Sequence, residues 1–139
     1  MNIAVRYQSR GGNSKAVAEA IAKEAGVIAS PLDVPLDRLI DLLFIGGGIY
    51  AWNIDNELRA YLQNLDPNAV KSVAAFTTGG MLGGTGKIAA KVKARGIAVC
   101  EIALPMRMGF QNYAGKKGFA ILSDKQNRKV ADFVKMTMK

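Results

Sequence analysis

Runs of apolar residues that do not alternate with polar ones, separated by amphipathic segments, constrain the fold of this chain most strongly. The runs that predict strands are residues 2–7, 27–30, 41–47, 72–78 and 97–104. A spacing of three or four between apolar residues predicts helices over 13–26, 54–65, 85–96 and 123–136. Strands that are apolar on both faces are typical of a parallel sheet with helices on each side. Because crossovers between parallel strands are right-handed, the sequence predicts an α/β fold, a three-layer α/β/α sandwich.

The 139 residues predict a single domain, residues 1–139, because no repeat, linker or low-complexity tract divides them. Five strands fit two doubly wound strand orders, and the pattern alone does not choose between them. Residues 105–122 predict irregular structure.

Each predicted helix has an apolar face and end signals. Asn13 and Asn53 predict N-caps for the first two helices, and Ser123 with Gln126 predicts a capping box for the last. The residues expected to face the core are Val17, Ala20, Ile21, Ala25, Leu58, Tyr61, Leu62, Leu65, Ile88, Val92, Val130, Phe133 and Val134.

The composition excludes several classes of site and of protein. There is no histidine, which removes the usual general base, the usual metal ligand and every His-based triad. The one cysteine, Cys100, lies in an apolar run and predicts a buried core thiol. No apolar run approaches the roughly 18 residues of a membrane span, and strand-like sequence begins where a signal peptide would lie. We therefore expect a soluble cytoplasmic protein with no membrane span.

The charge is unevenly distributed along the chain. Residues 1–70 carry 6 basic and 8 acidic side chains, whereas residues 71–139 carry 13 basic and 3 acidic ones, giving +8 in total. Two interpretations remain open, because such a balance fits either general solubility or an acidic partner or anionic ligand.

Three glycine-rich segments follow predicted strands and are therefore expected at one edge of the sheet. They read "QSRGGNS", "GGGIYAWN" and "TTGGMLGGTG". In a doubly wound sheet, ligands bind beyond the carboxyl ends of the strands. Glycine at such positions lets backbone N–H groups approach a ligand closely. The sequence therefore predicts a ligand site built from these three loops.

The first loop has the chemistry of a phosphate site. It lies at the predicted start of a helix, where free N–H groups and the helix dipole favour an anion. Arg10 either adds a charge-assisted contact or faces solvent. The alternative is an ordinary capped turn with no ligand. The residues of this candidate site are Ser9, Arg10, Gly11, Gly12, Asn13 and Ser14.

Other phosphate-binding and signalling motifs do not fit. The spacing of Gly11 and Gly12 departs from the dinucleotide fingerprint G-x-G-x-x-G. In "GGMLGGTGKI", Ile88 stands where a Walker loop has a hydroxyl. A phospho-receiver domain needs an aspartate at the end of its third strand, and this strand ends in glycine.

The second and third loops suit a flat ring system. Tyr50 and Trp52 follow three glycines, although Trp52 also fits a packing role over the second helix. A phosphate at one end and a planar heterocycle at the other describe a mononucleotide, most simply FMN. The candidate residues of these loops are Gly47, Gly48, Ile49, Tyr50, Ala51, Trp52, Thr77, Thr78, Gly79 and Gly80.

The whole chain resembles the flavodoxin family, in its short-chain form. The segment 9–14 is similar to that family's phosphate motif [ST]-x-T-G-N-[ST], with Gly11 in place of the threonine. Residues 46–55 and 77–84 take the place of the two flavin-flanking loops. The resemblance implies strand order 2-1-3-4-5, non-covalently bound FMN and electron transfer. This chain departs from the usual acidic flavodoxin in being basic.

Three functions follow from these observations. The first is an FMN-binding electron carrier that shuttles electrons between redox partners. The alternatives are an NAD(P)H- or quinone-linked FMN reductase, and a binding module that kept the fold without flavin and holds an anionic partner. For the carrier we expect a redox partner protein with an acidic docking surface, and we expect no nucleic-acid partner.

Overall fold

A mainly parallel sheet forms the centre of the protein. The computed structural model describes residues 1–50, 53–79, 83–109, 112–115 and 118–139. Within these residues the elements, in chain order, are β1 (Ile3–Gln8), α1 (Asn13–Ala25), β2 (Ala29–Pro31), β3 (Leu42–Tyr50), β4 (Asn53–Ile54), α2 (Asn56–Gln63), β5 (Ser72–Thr78), α3 (Gly84–Ala94), β6 (Ala98–Val99), β7 (Leu104–Met106) and α4 (Asp124–Thr137).

The strand order is β2-β1-β3-β5-β6, with β7 pairing with the far end of β5 and β4 pairing antiparallel with the end of β3. With β6 and β7 counted as one interrupted fifth strand, this is the order 2-1-3-4-5 that the resemblance implied. The predicted fold class is therefore confirmed.

Two apolar cores lie on opposite faces of the sheet. One contains Leu58, Leu62, Ile88 and Val92 and therefore lies under α2 and α3. The other lies under α1 and α4 and contains large side chains from both helices. In this core the rings of Phe44 and Phe133 meet edge to face, with their centroids 5.6 Å apart. Consecutive strand residues alternate between the two cores, which explains why the strands are apolar throughout.

Both predicted caps of the first two helices are wrong. α1 begins after Gly12, which has a φ of 93°, and no side chain caps it. α2 is capped by Asp55, whose carboxylate accepts a hydrogen bond from the N–H of Glu57 at 2.8 Å. Asn53 lies instead in β4, where its side chain accepts from the N–H of Ile54. The capping box of Ser123 and Gln126 on α4 is confirmed.

The fifth strand is interrupted where the sequence predicts one run. Val99 pairs with Val73 and Leu104 with Phe76, so five steps along this strand match three steps along β5. The two extra residues form a bulge between β6 and β7. Cys100 lies at this bulge and is half-buried rather than a fully buried core residue. Partial burial raises the pKa of its thiol.

Among the described residues, no helix is both long enough and apolar enough to cross a membrane.

Candidate functional site

A cleft at the carboxyl edge of the sheet is formed by parts of all three glycine-rich loops. This follows from the topology, because parallel strands end at the same edge. The described residues enclose about 180 Å³. The residues that line this cleft are Ser9, Gly11, Asn13, Ser14, Gly48, Ile49, Tyr50, Thr78 and Gly79.

The start of α1 forms one wall of the cleft. The Ser9 hydroxyl accepts a hydrogen bond from the N–H of Gly12 at 3.0 Å, so this hydroxyl shapes the loop itself. The first turn of α1 has neither a capping side chain nor an acidic residue. Its first N–H groups therefore lack intrahelical partners and present the positive end of the helix dipole. This wall suits an anion.

A hydroxyl pair joins the first loop to the third. The Ser14 and Thr78 hydroxyl oxygens lie 2.7 Å apart, and both residues are buried. One hydroxyl donates to the other, so the accepting hydroxyl keeps its own hydrogen for a further acceptor. The pair therefore fixes the geometry of the cleft and offers it a donor.

The glycines at the end of β3 have packing roles that the sequence did not reveal. A Cβ built on Gly46 would lie 2.0 Å from the Phe76 carbonyl oxygen, so β5 leaves no room for a side chain. A Cβ on Gly47 would lie 3.1 Å from the Gln8 carbonyl oxygen. Both residues belong to the strand rather than to a loop. Packing requires glycine at position 46 whether or not a ligand binds, whereas position 47 is only tightly packed.

Gly48 and Gly84 make room for side chains at the cleft. A Cβ on Gly48 would lie 2.6 Å from the Tyr50 hydroxyl, and one on Gly84 would lie 2.5 Å from the end of the Ile49 side chain. Tyr50 thus folds back over the strand end, and Ile49 packs against the first residue of α3. The start of α3 is in this way placed next to the cleft.

Arg10 pairs with a carboxylate that the sequence did not reveal as its partner. Its Nε donates to Asp55 at 2.9 Å, and its Nη2 donates to the same oxygen. The guanidinium lies over the Tyr50 ring, 4.1 Å from the ring centroid. Asp55 is only 3% exposed and also caps α2. The cap itself had a sequence signal, an aspartate just before the apolar stripe of α2, whereas the pairing with Arg10 had none.

Some predicted site residues do not line the cleft. Arg10 faces Asp55, and Gly12 lies against the backbone of residues 118–119, where a Cβ would come within 2.2 Å of the Gly118 carbonyl oxygen. Gly47 and Thr77 are buried in β3 and β5. Ala51, Trp52 and Gly80 lie outside the described residues.

The lining of the cleft is uncharged over the part of the chain that the structure describes. The nearby Asp55 carboxylate is neutralised by Arg10. The volume of about 180 Å³ is below the roughly 300–1,000 Å³ of typical small-molecule pockets. It has the size and donors for a phosphate and the chain attached to it rather than for a whole flavin. Residues 51–52 and 80–82, which follow two of the lining segments, are not among those described.

Solved structures of several redox proteins share this architecture. Flavodoxin 2 of Bacillus cereus superposes with a TM-score of 0.70 at 16% identity, over 96% of this chain and 95% of that one. The fold is flavodoxin-like. The resemblance to flavodoxins seen in the sequence is thus confirmed at the level of the fold.

Two larger proteins contain the same fold as a part. Rubredoxin oxygen:oxidoreductase of Desulfovibrio gigas has a TM-score of 0.66 at 12% identity, and the flavodiiron core of Flv1 from Synechocystis has 0.59 at 14%. This flavodoxin-like chain spans 34% and 36% of those chains, respectively. No protein-family model and no curated protein sequence matches it.

Proposed function

We propose that this chain binds FMN, with the phosphate end of FMN in the cleft, and works as an electron carrier. The observation that carries the proposal is the meeting of the three predicted loops beside an uncapped helix start, at the carboxyl edge of a flavodoxin-like sheet. When bound, FMN supplies the redox chemistry, and the chain has to bind and orient it.

The phosphate end has the stronger support. The N–H groups of the first turn of α1, together with the side chains of Asn13 and Ser14, form a donor set without any competing carboxylate. Each hydrogen bond to a charged group contributes roughly 1.5–3 kcal/mol. Ser9 contributes indirectly, because its hydroxyl holds Gly12 and thereby the turn into the helix.

The ring end depends on the second and third loops. Tyr50 lines the cleft, and its ring already stacks against the Arg10 guanidinium. Stacking of Trp52 on the flavin stays a prediction, since this residue lies outside the described ones. Strong quenching of its fluorescence on FMN binding is the expected signature, because it is the single tryptophan of the chain.

The partner of the carrier is proposed to be a redox protein with an acidic docking surface. α3 starts beside Ile49, contains no acidic residue, and exposes Lys87 and Lys93, with Arg95 exposed directly after its end. Lys87 lies in the first turn of α3, near the cleft, whereas Lys93 and Arg95 lie at the far end of the helix. Such a basic surface attracts an acidic surface and accelerates association. The association rate is expected to fall steeply as salt is raised, because the Debye length shortens to about 8 Å at physiological ionic strength.

The absorption spectrum of the purified protein tests the proposal. We expect flavin absorbance, or its appearance when the protein is mixed with FMN and freed of excess ligand. A protein that stays colourless after this treatment would contradict the function of an FMN-binding electron carrier. The remaining candidate would then be the binding module without flavin. Oxidation of NAD(P)H by the FMN-loaded protein, with no reductase added, would instead support the alternative of an FMN reductase.

A further inference from the structure

A second groove lies beside α2, away from the lining of the cleft. It encloses about 540 Å³, within the roughly 300–1,000 Å³ of small-molecule sites. One wall is a stripe of α2 that includes Ala60 and Tyr61, and the other is the segment of residues 32–36. Leu32, Leu36 and Tyr61 are half-buried against the core under α2 and α3, so the floor is apolar.

A smaller cavity of about 260 Å³ continues this groove toward the end of β1. The two spaces share Leu32, Asp33 and Glu57 as lining residues. Gln8 and Ser9 line the smaller cavity but not the larger groove, and Ser9 also lines the cleft at the carboxyl edge of the sheet. The combined space, which we call the α2 groove, therefore has an apolar section and a polar end.

The α2 groove is acidic, although the protein as a whole has a net charge of +8. Asp33, Glu57 and Asp66 line it, and no lysine or arginine is among its described lining residues. Arg6 lies behind the 32–36 wall, where its guanidinium donates to the carbonyls of Val34 and Pro35 at 2.9 and 3.1 Å. Arg95 likewise donates to the carbonyl of Leu65, another lining residue, at 3.0 Å. These two cations do not balance three carboxylates, so the groove favours a cationic ligand.

Gln8 supplies an independent observation at the polar end. The side chain is only 7% exposed, and its Oε1 is buried without a hydrogen-bond partner in the described structure. A buried amide oxygen without a donor is unfavourable, and such groups are rare in folded proteins. Its terminal amide rotates over a broad range, so it can present its oxygen to the cavity that it lines. A ligand with N–H donors would satisfy it.

We propose that the α2 groove binds an amphiphilic amine, with its cationic head among Gln8, Asp33 and Glu57 and its apolar body against Leu36 and Tyr61. The carboxylates attract the charge, and the amide oxygen accepts a hydrogen bond from the ammonium. The apolar section removes the body from water. The proposal does not rest on the proposed function, although the polar end of the groove shares Ser9 with the cleft.

The test uses 4-phenylbutylamine as the probe and 4-phenylbutyrate as the matched anion with the same apolar body. Amide shifts of the ¹⁵N-labelled protein report where each probe binds. The amine is expected to bind with a Kd of about 1 mM or tighter and to shift the amides of residues 60–66. The butyrate is expected to bind at least about tenfold more weakly, because three carboxylates line the groove.

Two variants locate the binding. Ala60→Lys fills the groove and adds a positive charge at an exposed helical position. It should weaken binding of the amine by about tenfold or more. Ala90→Lys makes the same change at an exposed position of α3 and should leave the affinity unchanged. Gln8→Met keeps the volume but removes the amide oxygen, and it should also weaken the amine about tenfold.

Several results would overturn the proposal. They are the absence of amine binding at millimolar concentration, equal binding of the butyrate, and equal effects of the two lysine variants. Unchanged affinity in a folded Gln8→Met variant would overturn it as well, because the amine head would then lie elsewhere.

Discussion

Replacing Arg10 by alanine removes the charged partner of a buried carboxylate. Asp55 is 3% exposed and would keep its hydrogen bond from the Glu57 N–H but lose both bonds from the guanidinium. Removing one partner of a fully buried pair costs roughly 3–5 kcal/mol, whereas exposed pairs contribute about 0.2–1 kcal/mol. The Arg10 side chain is 58% exposed, which places this pair between the two cases.

The expected loss in the free energy of unfolding for Arg10→Ala is about 1–2 kcal/mol, including a small share from the lost stacking on Tyr50. Urea unfolding followed by circular dichroism measures it. Arg38→Ala is the matched control, because Arg38 pairs with Asp37 at 3.3 Å while both side chains are exposed. That control should lose less than about 0.5 kcal/mol.

A double-mutant cycle isolates the pair itself. Asp55→Asn keeps an oxygen that can cap α2 while removing the charge that Arg10 pairs with. We expect a coupling energy of about 1 kcal/mol between Arg10→Ala and Asp55→Asn. A coupling energy near zero, or an Arg10→Ala variant no less stable than Arg38→Ala, would refute the reasoning.

Three further predictions concern packing, the thiol and the flavin. Gly46→Ala should lower the free energy of unfolding by about 1–3 kcal/mol or more, because the new Cβ would meet the Phe76 carbonyl. Gly86→Ala is the control, because a Cβ built there has no atom within 4 Å, and it should raise the free energy of unfolding by up to about 1 kcal/mol in the same urea series. The raised pKa of Cys100 keeps its thiolate scarce at pH 8, so an aromatic disulfide reagent should react more slowly with the folded than with the urea-unfolded protein, and equal rates would contradict this. A lysine about 10 Å from reduced FMN would stabilise the negative charge of the flavin by roughly 0.8 kcal/mol at an effective dielectric near 40. A redox titration should therefore give a higher potential for full reduction of the flavin than the potential of an acidic flavodoxin measured beside it.

The parts of the fold that depend on repeated local patterns could be predicted from the sequence. Apolar stripes such as Leu58 with Leu62 and Ile88 with Val92 identify the buried helix faces, and all four residues are fully buried. The meeting of the three loops also followed from the pattern, because parallel strands end at one edge.

The features that the sequence did not reveal depend on contacts between distant residues. Arg10 and Asp55 are 45 residues apart, and no local signal pairs them. Gly46 looked like part of a ligand loop, yet its missing side chain makes room for Phe76 on the neighbouring strand. The bulge at Cys100 arises from a register difference between two strands, which a single apolar run does not encode. The predicted cap of α1 was wrong because Gly12 takes the N-cap position, with a φ of 93° and its backbone close to Gly118.

The central claim is that the start of α1 holds the phosphate of FMN, and the ratio of FMN to riboflavin affinity tests it most directly. Riboflavin lacks only the phosphate, so it also reports whether each variant keeps an intact ring site. With two or more hydrogen bonds at roughly 1.5–3 kcal/mol each, FMN should bind the wild-type protein at least about 100-fold more tightly than riboflavin. The double variant Asn13→Ala, Ser14→Ala should reduce this ratio by about tenfold or more while riboflavin affinity changes little. Equal affinities for the two ligands in the wild-type protein, or equal losses for both in the variant, would contradict the account.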